Sequence, residues 1–326
     1  MNRRIAACLA ASLAFGLLTP AAVIAQSFPA QPVRFISPFP AGSGPDVVAR
    51  IVGEKLGAAW KQPVIVDPRP GANGFLAANA VKQAAPTGYD LMVADVGHLT
   101  INPSLFKNMP YDPKVDFTPV GGLYRTSFFI VVATNSPIKS VRDLAAAAAA
   151  NAGKMTYGSN SIGSPLHLGA AQIEAATGTK MVHVPYKEIS QLYVAVSTGE
   201  VDWALGSLAS AGPLLKAGKL RIVAVADTVR SPVQPAVPTF EESGGAKPVA
   251  IRSWVSLVAP KGTPPATIAI LNKSLNDVLR QPDLAEKLAP FGFVPYPTTP
   301  GELTALINSE TVFYADVVKR TGANAD

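Results

Sequence analysis

Two short glycine- and serine-rich stretches, each set between an apolar run and a helical pattern, hold the residues best suited to chemistry in this 326-residue chain. In the first, Phe35-Ile36 breaks at Pro38-Phe39-Pro40-Ala41-Gly42-Ser43-Gly44-Pro45-Asp46. Ser43, with an acidic residue three positions on, has the spacing of a capping box, and proline is tolerated in the first helical turn. A glycine-rich turn feeding a helix start leaves backbone N–H groups facing outward, and the helix dipole adds positive potential; such a turn can seat an anion, and a carboxylate suits it. One such loop alone reads as an ordinary helix start. A second copy, Gly158-Ser159-Asn160-Ser161-Ile162-Gly163-Ser164 running into Pro165 with Ser164 as N-cap, is what points to binding. Phe39, Ala41, Gly42, Ser43 and Asp46 of the first loop, and Ser159, Asn160, Ser161 and Ser164 of the second, are the candidate ligand contacts. For Asp46 and Ser164 the competing role is that of a helix cap.

Further candidates lie around these loops. Asp95-Val96-Gly97-His98-Leu99-Thr100 follows a third apolar run, which makes Gly97 and His98 candidates for the same crevice. His167 falls in the first turn after the serine loop, placed either to meet a ligand or to pack and orient the loop. Arg125, Lys187 and Arg252 are each able to pair a second carboxylate, arginine with bidentate geometry, or to stand in solvent. Tyr186, Phe128, Trp203 and Trp254 offer either an aromatic wall or core packing.

Enzyme signatures are missing. Gly42-Ser43-Gly44 lacks the third glycine of a dinucleotide loop, and no phosphate loop with its lysine is present. There is no Gly-x-Ser-x-Gly elbow, three scattered histidines form no zinc motif, and Ser136-Pro137-Ile138-Lys139 stands without the companions a Ser-x-x-Lys hydrolase needs. No catalytic residue, metal ligand or cofactor site is expected; a hydrolase using Ser43 or Ser159 is the weakest of the alternatives.

The elements that must position these loops alternate short apolar strands with amphipathic helices, the pattern of parallel sheets built from strand-helix-strand units. The first set is strand Val33–Ser37, helix Asp46–Trp60 with Val47, Val48, Ile51, Val52 and Leu56 on one face, strand Val64–Val66, helix Phe75–Gln83 and strand Leu91–Ala94. Asp67 to Gly74 is another glycine-rich connection, and in open parallel sheets such loops share one crevice beyond the carboxyl ends of the strands. Residues 102–122 are proline-rich and read as irregular. A second set follows: Met155–Tyr157, helix Pro165–Thr177, Met181–Val184, helix Gln191–Thr198, Val201–Leu205, a helix near Pro213–Ala217, and Arg221–Val225. Helices Pro265–Arg280, Pro282–Pro290 and Glu302–Lys319 close the chain. Crossings near 128–134 and 250–260 predict a hinge with a cleft between two lobes. The expected division is a signal peptide over 1–25, the first part of lobe 1 over 26–133, lobe 2 over 134–250, and a return strand with C-terminal helices, mainly lobe 1, over 251–326.

Composition supports a folded, exported protein. The chain is 48% hydrophobic and 15% charged, long enough for two domains. Arg3 and Arg4, an apolar run through Leu18 and Val23-Ile24-Ala25 fit a secretory signal, and Cys8, the one cysteine of the sequence, would leave with it. The formal charge of +6 carries no basic run, which argues against nucleic acid and for anionic ligands.

With these stretches in view, the chain resembles the Bug family, the substrate-binding proteins of tripartite tricarboxylate transport systems. The likeness is carried by Pro32-Val33-Arg34-Phe35-Ile36 with Pro38-Phe39-Pro40-Ala41-Gly42, Arg69-Pro70-Gly71-Ala72, Pro86-Thr87-Gly88-Tyr89, Ile101-Asn102-Pro103-Ser104-Leu105, Tyr157-Gly158-Ser159-Asn160, His183-Val184-Pro185-Tyr186-Lys187 and Ala259-Pro260-Lys261-Gly262. The resemblance implies an α/β, two-lobed periplasmic binding protein of the Venus flytrap type (type II-like), with a parallel-rich sheet in each lobe and a two-crossing hinge. It also implies that the loops matching Pro40–Asp46 and Ser159–Ser164 grip one carboxyl group of a small ligand, that the partners are that ligand and the membrane permease subunits of a tripartite transporter, and that the protein works in the periplasm as a monomer. Glu188-Ile189-Ser190 departs from the family pattern, as do His98 and Arg125, which stand where small residues are usual. Those two, with the aromatic candidates, make a dicarboxylate, aliphatic or aromatic such as a phthalate isomer, the expected ligand. The alternative is a sensor presenting its carboxylate to a membrane receptor kinase.

Overall fold

The computed structural model describes residues 28–251 and 253–324, so the signal read at 1–25 and the candidate Arg252 lie outside the described residues. In chain order the elements are β1 (Val33–Ser37), α1 (Gly44–Trp60), β2 (Val64–Pro68), α2 (Phe75–Lys82), β3 (Asp90–Asp95), α3 (Asn102–Leu105), β4 (Phe117–Thr126), β5 (Phe129–Ala133), α4 (Val141–Ala150), β6 (Thr156–Ser159), α5 (Pro165–Thr177), β7 (Val182–Pro185), α6 (Ile189–Thr198), β8 (Trp203–Gly206), α7 (Leu208–Lys216), β9 (Leu220–Val225), β10 (Ser253–Pro260), α8 (Pro265–Leu279), α9 (Pro282–Leu288), β11 (Phe293–Pro295) and α10 (Pro300–Thr321).

They form two sheets, one per lobe. The first has the order β11-β4-β10-β3-β1-β2, with β1 parallel to both β2 and β3 and the remaining pairs antiparallel. Its strands are apolar on both faces because both are covered. Val33 and Phe35 pack on one side with Val48, Val52 and Leu56 of α1 and with α8 and α9; Ile36, on the other side, packs with Ala77 and Val81 of α2 and with Leu303, Ile307 and Tyr314 of α10. The second sheet, β7-β6-β8-β5-β9, has a parallel half and an antiparallel half and is covered by α4 and α5 on one face and α6 and α7 on the other.

Three differences from the sequence reading have local causes. Phe129–Ala133 pairs with β8 and β9, so it belongs to the second sheet; the first crossing, expected near 128–134, lies before this strand at 126–129, and the first part of lobe 1 ends there and not at 133. The segment read as irregular up to Gly122 contains β4, which the sequence hides behind Pro119, Gly121 and Gly122. The register with β10 skips Leu123 and Val120, a pair of bulges beside Gly122 and Pro119, and Gly122 is needed because a Cβ there would overlap the Tyr296 carbonyl. Helix α7 starts at Leu208, five residues before Pro213, because Ser207 and Ser210 form a reciprocal cap.

The lobes touch in several places. Leu168 of α5 is buried in the core shared with α10, Gly169 packs against Ile251 of the second crossing, and on the opposite side Ala209 and Phe293 crowd Gly44 at the start of α1.

Candidate functional site

The cleft between the lobes holds a cavity of about 420 Å³, within the range of small-molecule sites. Four loops line it, three from the carboxyl ends of the first sheet's parallel strands and one from the second: Pro38–Pro40 after β1, Pro70–Gly74 after β2, the Asp95–Leu105 region after β3, and Asn160–Pro165 between β6 and α5. This is the crevice that open parallel topology dictates.

The serine loop delivers the positive end of α5. Pro165 supplies the first helical residue without wasting an N–H, and Ser164, as N-cap, accepts from His167 N at 3.3 Å while its own hydroxyl donates to Ser161 O at 2.9 Å. The Ser159 hydroxyl is buried and committed to Ser161 O (3.0 Å) and His183 Nε2 (2.7 Å), so it lies beneath the cavity wall. The Ser161 hydroxyl and the Asn160 amide are the side-chain groups of this loop that line the cavity and make no hydrogen bond among the described residues. Gly163 holds φ +75° and faces Leu105 of the other lobe, leaving no room for a Cβ.

The first-lobe loop behaves differently. Asp46 is 1% exposed and turns back on its own loop, accepting from Gly42 N at 2.9 Å and from Arg50 Nε and Nη2 at 2.9 and 3.1 Å. Ser43 occupies the N-cap position without capping through its side chain; its hydroxyl donates to Pro40 O at 2.6 Å. The anticipated Ser43–Asp46 capping box is therefore replaced by an Asp46–Gly42 clasp. Of the candidates in this loop, Phe39 lines the cavity; Ala41, Gly42, Ser43 and Asp46 do not.

The third wall carries the charge. His98 Nδ1 lies 2.5 Å from Asp95 Oδ1, and the His98 backbone N–H donates to the same oxygen at 3.0 Å. At that separation Nδ1 must carry a hydrogen, so the 3.3 Å approach of the Asp95 amide to Nδ1 is a contact rather than a donation. Burial pushes the Asp95 carboxyl upward, but the His98 charge, its hydrogen bonds and the Gly97 amide outweigh it and hold the group below the usual carboxylate range. Nε2 is thus the ring atom left for a guest. His98 is 9% exposed, and its ring is edge-on to Phe39 at 5.5 Å. It fits because Gly74 (φ +85°) has no Cβ, which would overlap His98 Cδ2 and Nε2. Gly71, Ala72, Asn73 and Gly74 all have positive φ, and Asn73 O is held by Asn102 Nδ2 at 3.1 Å; two non-glycine residues in this conformation mark backbone strain stored at the cleft. Asp95 and His98 are the titratable residues of the lining, which contains no lysine or arginine.

The remaining candidates sit elsewhere. Arg125 lies on β4 with its guanidinium 4.3 Å from the Tyr296 ring centroid and lines a separate cavity of about 440 Å³ at the hinge, with Trp254. Tyr186 reaches Glu200 at 3.3 Å, away from the cleft. His167 faces a third cavity of about 200 Å³ between α5 and α10, stacked on His183 at 4.0 Å, and its Nδ1 accepts from Gly163 N at 2.9 Å. Burial lowers the pKa of His167; burial and then the neighbouring ring lower His183 to about 4. Sequence reasoning passed over Asp95, Asn102, Leu105 and the Pro70–Gly74 turn as contacts, although the order of strands and loops already aimed two of these segments at the crevice. Among the described residues no group of His, Cys, Asp and Glu could hold a metal, and no helix is long and apolar enough to cross a membrane.

Residues 48–322 match the model of the tripartite tricarboxylate transporter family receptor. The protein BugT of Bordetella pertussis is 32% identical over 93% of this chain and 93% of its own. Among solved structures, Rpa4515 of R. palustris with adipate superposes with TM-score 0.83 at 29% identity, covering 91% of this chain and 99% of that one. MatC (Rpa3494) from Rhodopseudomonas palustris with bound malate gives 0.77 at 29% identity, covering 89% and 100%.

Proposed function

Because the chain belongs to the tripartite tricarboxylate transporter receptor family, whose two-lobed solute-binding fold it has, we propose that it captures a small carboxylate in the inter-lobe cavity and delivers it from the periplasm to the membrane subunits of such a transporter. One observation carries the reading. The start of α5 and its serine loop open into a 420 Å³ cavity whose lining offers backbone N–H groups, the Ser161 hydroxyl and the Asn160 amide, with one imidazole as its basic group. Such a site receives a carboxyl group through dipoles rather than through an arginine fork. Of the two residues behind the dicarboxylate expectation, His98 lines the cavity and Arg125 does not. A second carboxylate of the guest therefore meets His98, whose Nε2 donates to it when both ring nitrogens carry hydrogen. The bound neighbours support the class: one holds adipate, another malate. Ligand bridging the lobes favours the closed arrangement by its differential affinity for the two states.

The test is mass spectrometry of whatever copurifies with the protein, followed by titration calorimetry with aliphatic and aromatic mono- and dicarboxylates. Binding of at least one at micromolar concentration is expected. A full panel without binding overturns the proposal.

A further inference from the structure

The cleft wall formed by the serine loop hangs from two histidines. The Ser159 hydroxyl owns a single hydrogen, which it gives to Ser161 O, so its 2.7 Å contact with His183 must be a donation from Nε2–H of the ring. Four residues on, the Gly163 N–H donates to His167 Nδ1 at 2.9 Å, which requires that nitrogen to be bare and the ring hydrogen to sit on Nε2. The two imidazoles lie face to face, centroids 4.0 Å apart and planes 18° apart, with the Tyr157 ring 5.2 Å from His183. The His167 anchor therefore needs a neutral ring with its hydrogen on Nε2, whereas the His183 anchor needs only a hydrogen on Nε2.

We propose that the stacked His167–His183 pair is the positioning device of the ligand loop, holding residues 160–163 in their guest-binding geometry and releasing them when His167 gains a proton at Nδ1. This rests on the reading of the cleft as a carboxylate site. Protonation turns the Nδ1 acceptor into a donor aimed at the Gly163 N–H, so that bond is lost outright, and it sets a cation against the second ring. The groups facing the pair offer little relief. Tyr157 comes from β6, Glu174 from α5 itself, Lys180 from the segment before β7, and Arg320 from α10, the last paired with Asp316. Glu174 is engaged by Met181 N at 2.6 Å, and burial raises its pKa. The lowered pKa values of both histidines agree with a pair held neutral.

The experiment follows the unliganded, isotope-labelled protein by NMR from about pH 7.5 to about pH 4.5. The Gly163 amide resonance should move together with the His167 ring titration, at a midpoint below the ordinary histidine value of about 6.5. His167→Asn, whose side-chain oxygen can take the Gly163 N–H without titrating, should abolish the movement. An amide that stays still while His167 titrates, one that moves equally in His167→Asn, or a ring that remains neutral throughout overturns the device. Binding is then read with malate and adipate as probes. The ratio of wild-type to His167→Asn dissociation constants cancels the protonation of the probe; it should be near one at neutral pH, rise as the pH falls through the His167 midpoint, and level off at about fivefold or more, the cost of losing the acceptor. A ratio that stays at one overturns the proposal. His167→Leu, without an acceptor, should bind about fivefold more weakly than His167→Asn at neutral pH. If neither probe binds at neutral pH, the binding comparison is made with whichever carboxylate of the full panel does bind, and if none does the carboxylate reading fails, while the joint titration of amide and ring still decides the device.

Discussion

Gly74→Ala tests whether the third wall of the cleft is built as described. Gly74 has φ +85°, where a residue with a Cβ loses about 1–2 kcal/mol. The added methyl would also overlap Cδ2 and Nε2 of His98 and approach Pro38 Cβ at 3.3 Å, so the imidazole must move. Overpacking of this kind costs about 1–3 kcal/mol. The two contributions together predict a stability loss of about 2–5 kcal/mol by urea titration. They separate in a double-mutant cycle. In a His98→Ala background the ring is gone and only the backbone penalty remains, so Gly74→Ala should fall to about 1–2 kcal/mol, leaving a coupling of about 1–3 kcal/mol. Carboxylate affinity should follow the same pattern, because the displaced ring breaks its 2.5 Å contact with Asp95 and carries Nε2 away from the guest. Additive losses, with no coupling between positions 74 and 98, would refute the claim that Gly74 exists to seat His98.

Three further outcomes follow from the same geometry. Gly163→Ala places a methyl against Leu105 across the cleft, so guest affinity should fall about tenfold or more and recover in part with Leu105→Ala; an unchanged affinity would show that this contact does not form in the liganded protein. Asp46→Ala strands the Gly42 N–H and the Arg50 guanidinium and should lower stability by about 1–3 kcal/mol in denaturant titration, with a smaller effect on affinity; a variant of wild-type stability would contradict the clasp. Arg125→Ala removes a guanidinium that stacks on Tyr296 at the hinge, so calorimetry should show equal changes for a dicarboxylate and its monocarboxylate analogue; a selective loss of the dicarboxylate would place Arg125 in the site after all.

Much of the scaffold could be read from residue order. The strand Val33–Ser37 and the helix Pro165–Thr177 have the predicted limits because both signals are local: a β-rich apolar run ended by Pro38, and a helix opened by Ser164-Pro165 and stopped by Gly178 in the left-handed conformation. β4 was not legible, since proline and paired glycines ordinarily exclude a central strand and only tertiary pairing with β10 and β11 shows that bulges accommodate them. That one strand also decides Arg125, whose direction is unknowable until its register is known. The placement of the cleft loops was legible from topology, whereas the use of each hydrogen was not. Ser159 looks like an open ligand in sequence, and Asp46 and Ser164 read either as ligands or as caps; Ser164 caps through His167 N as its position suggests, while Ser159 and Asp46 are engaged by His183, Gly42 and Arg50, partners fixed by the fold.

The pairing of His98 with Asp95 explains how this cleft can favour a carboxylate without a lysine or arginine in its lining. An unpaired Asp95 would oppose the guest: two like charges about 5 Å apart, at the effective dielectric of about 20 that suits protein sites, repel by about 3 kcal/mol. That is enough to offset two or three hydrogen bonds from the serine loop. With Nδ1–H of His98 held against it, the Asp95 carboxylate that lines the cavity is engaged by its neighbour, and Nε2 is the ring nitrogen left over. Attraction to the guest then comes mainly from dipoles that the fold keeps aligned whether or not a ligand is present. Affinity built in this way is set by loop geometry, which is why the spacing between Gly163 and Leu105, the seat that Gly74 leaves for His98, and the histidines beneath Ser159 should govern capture more strongly than any surface charge.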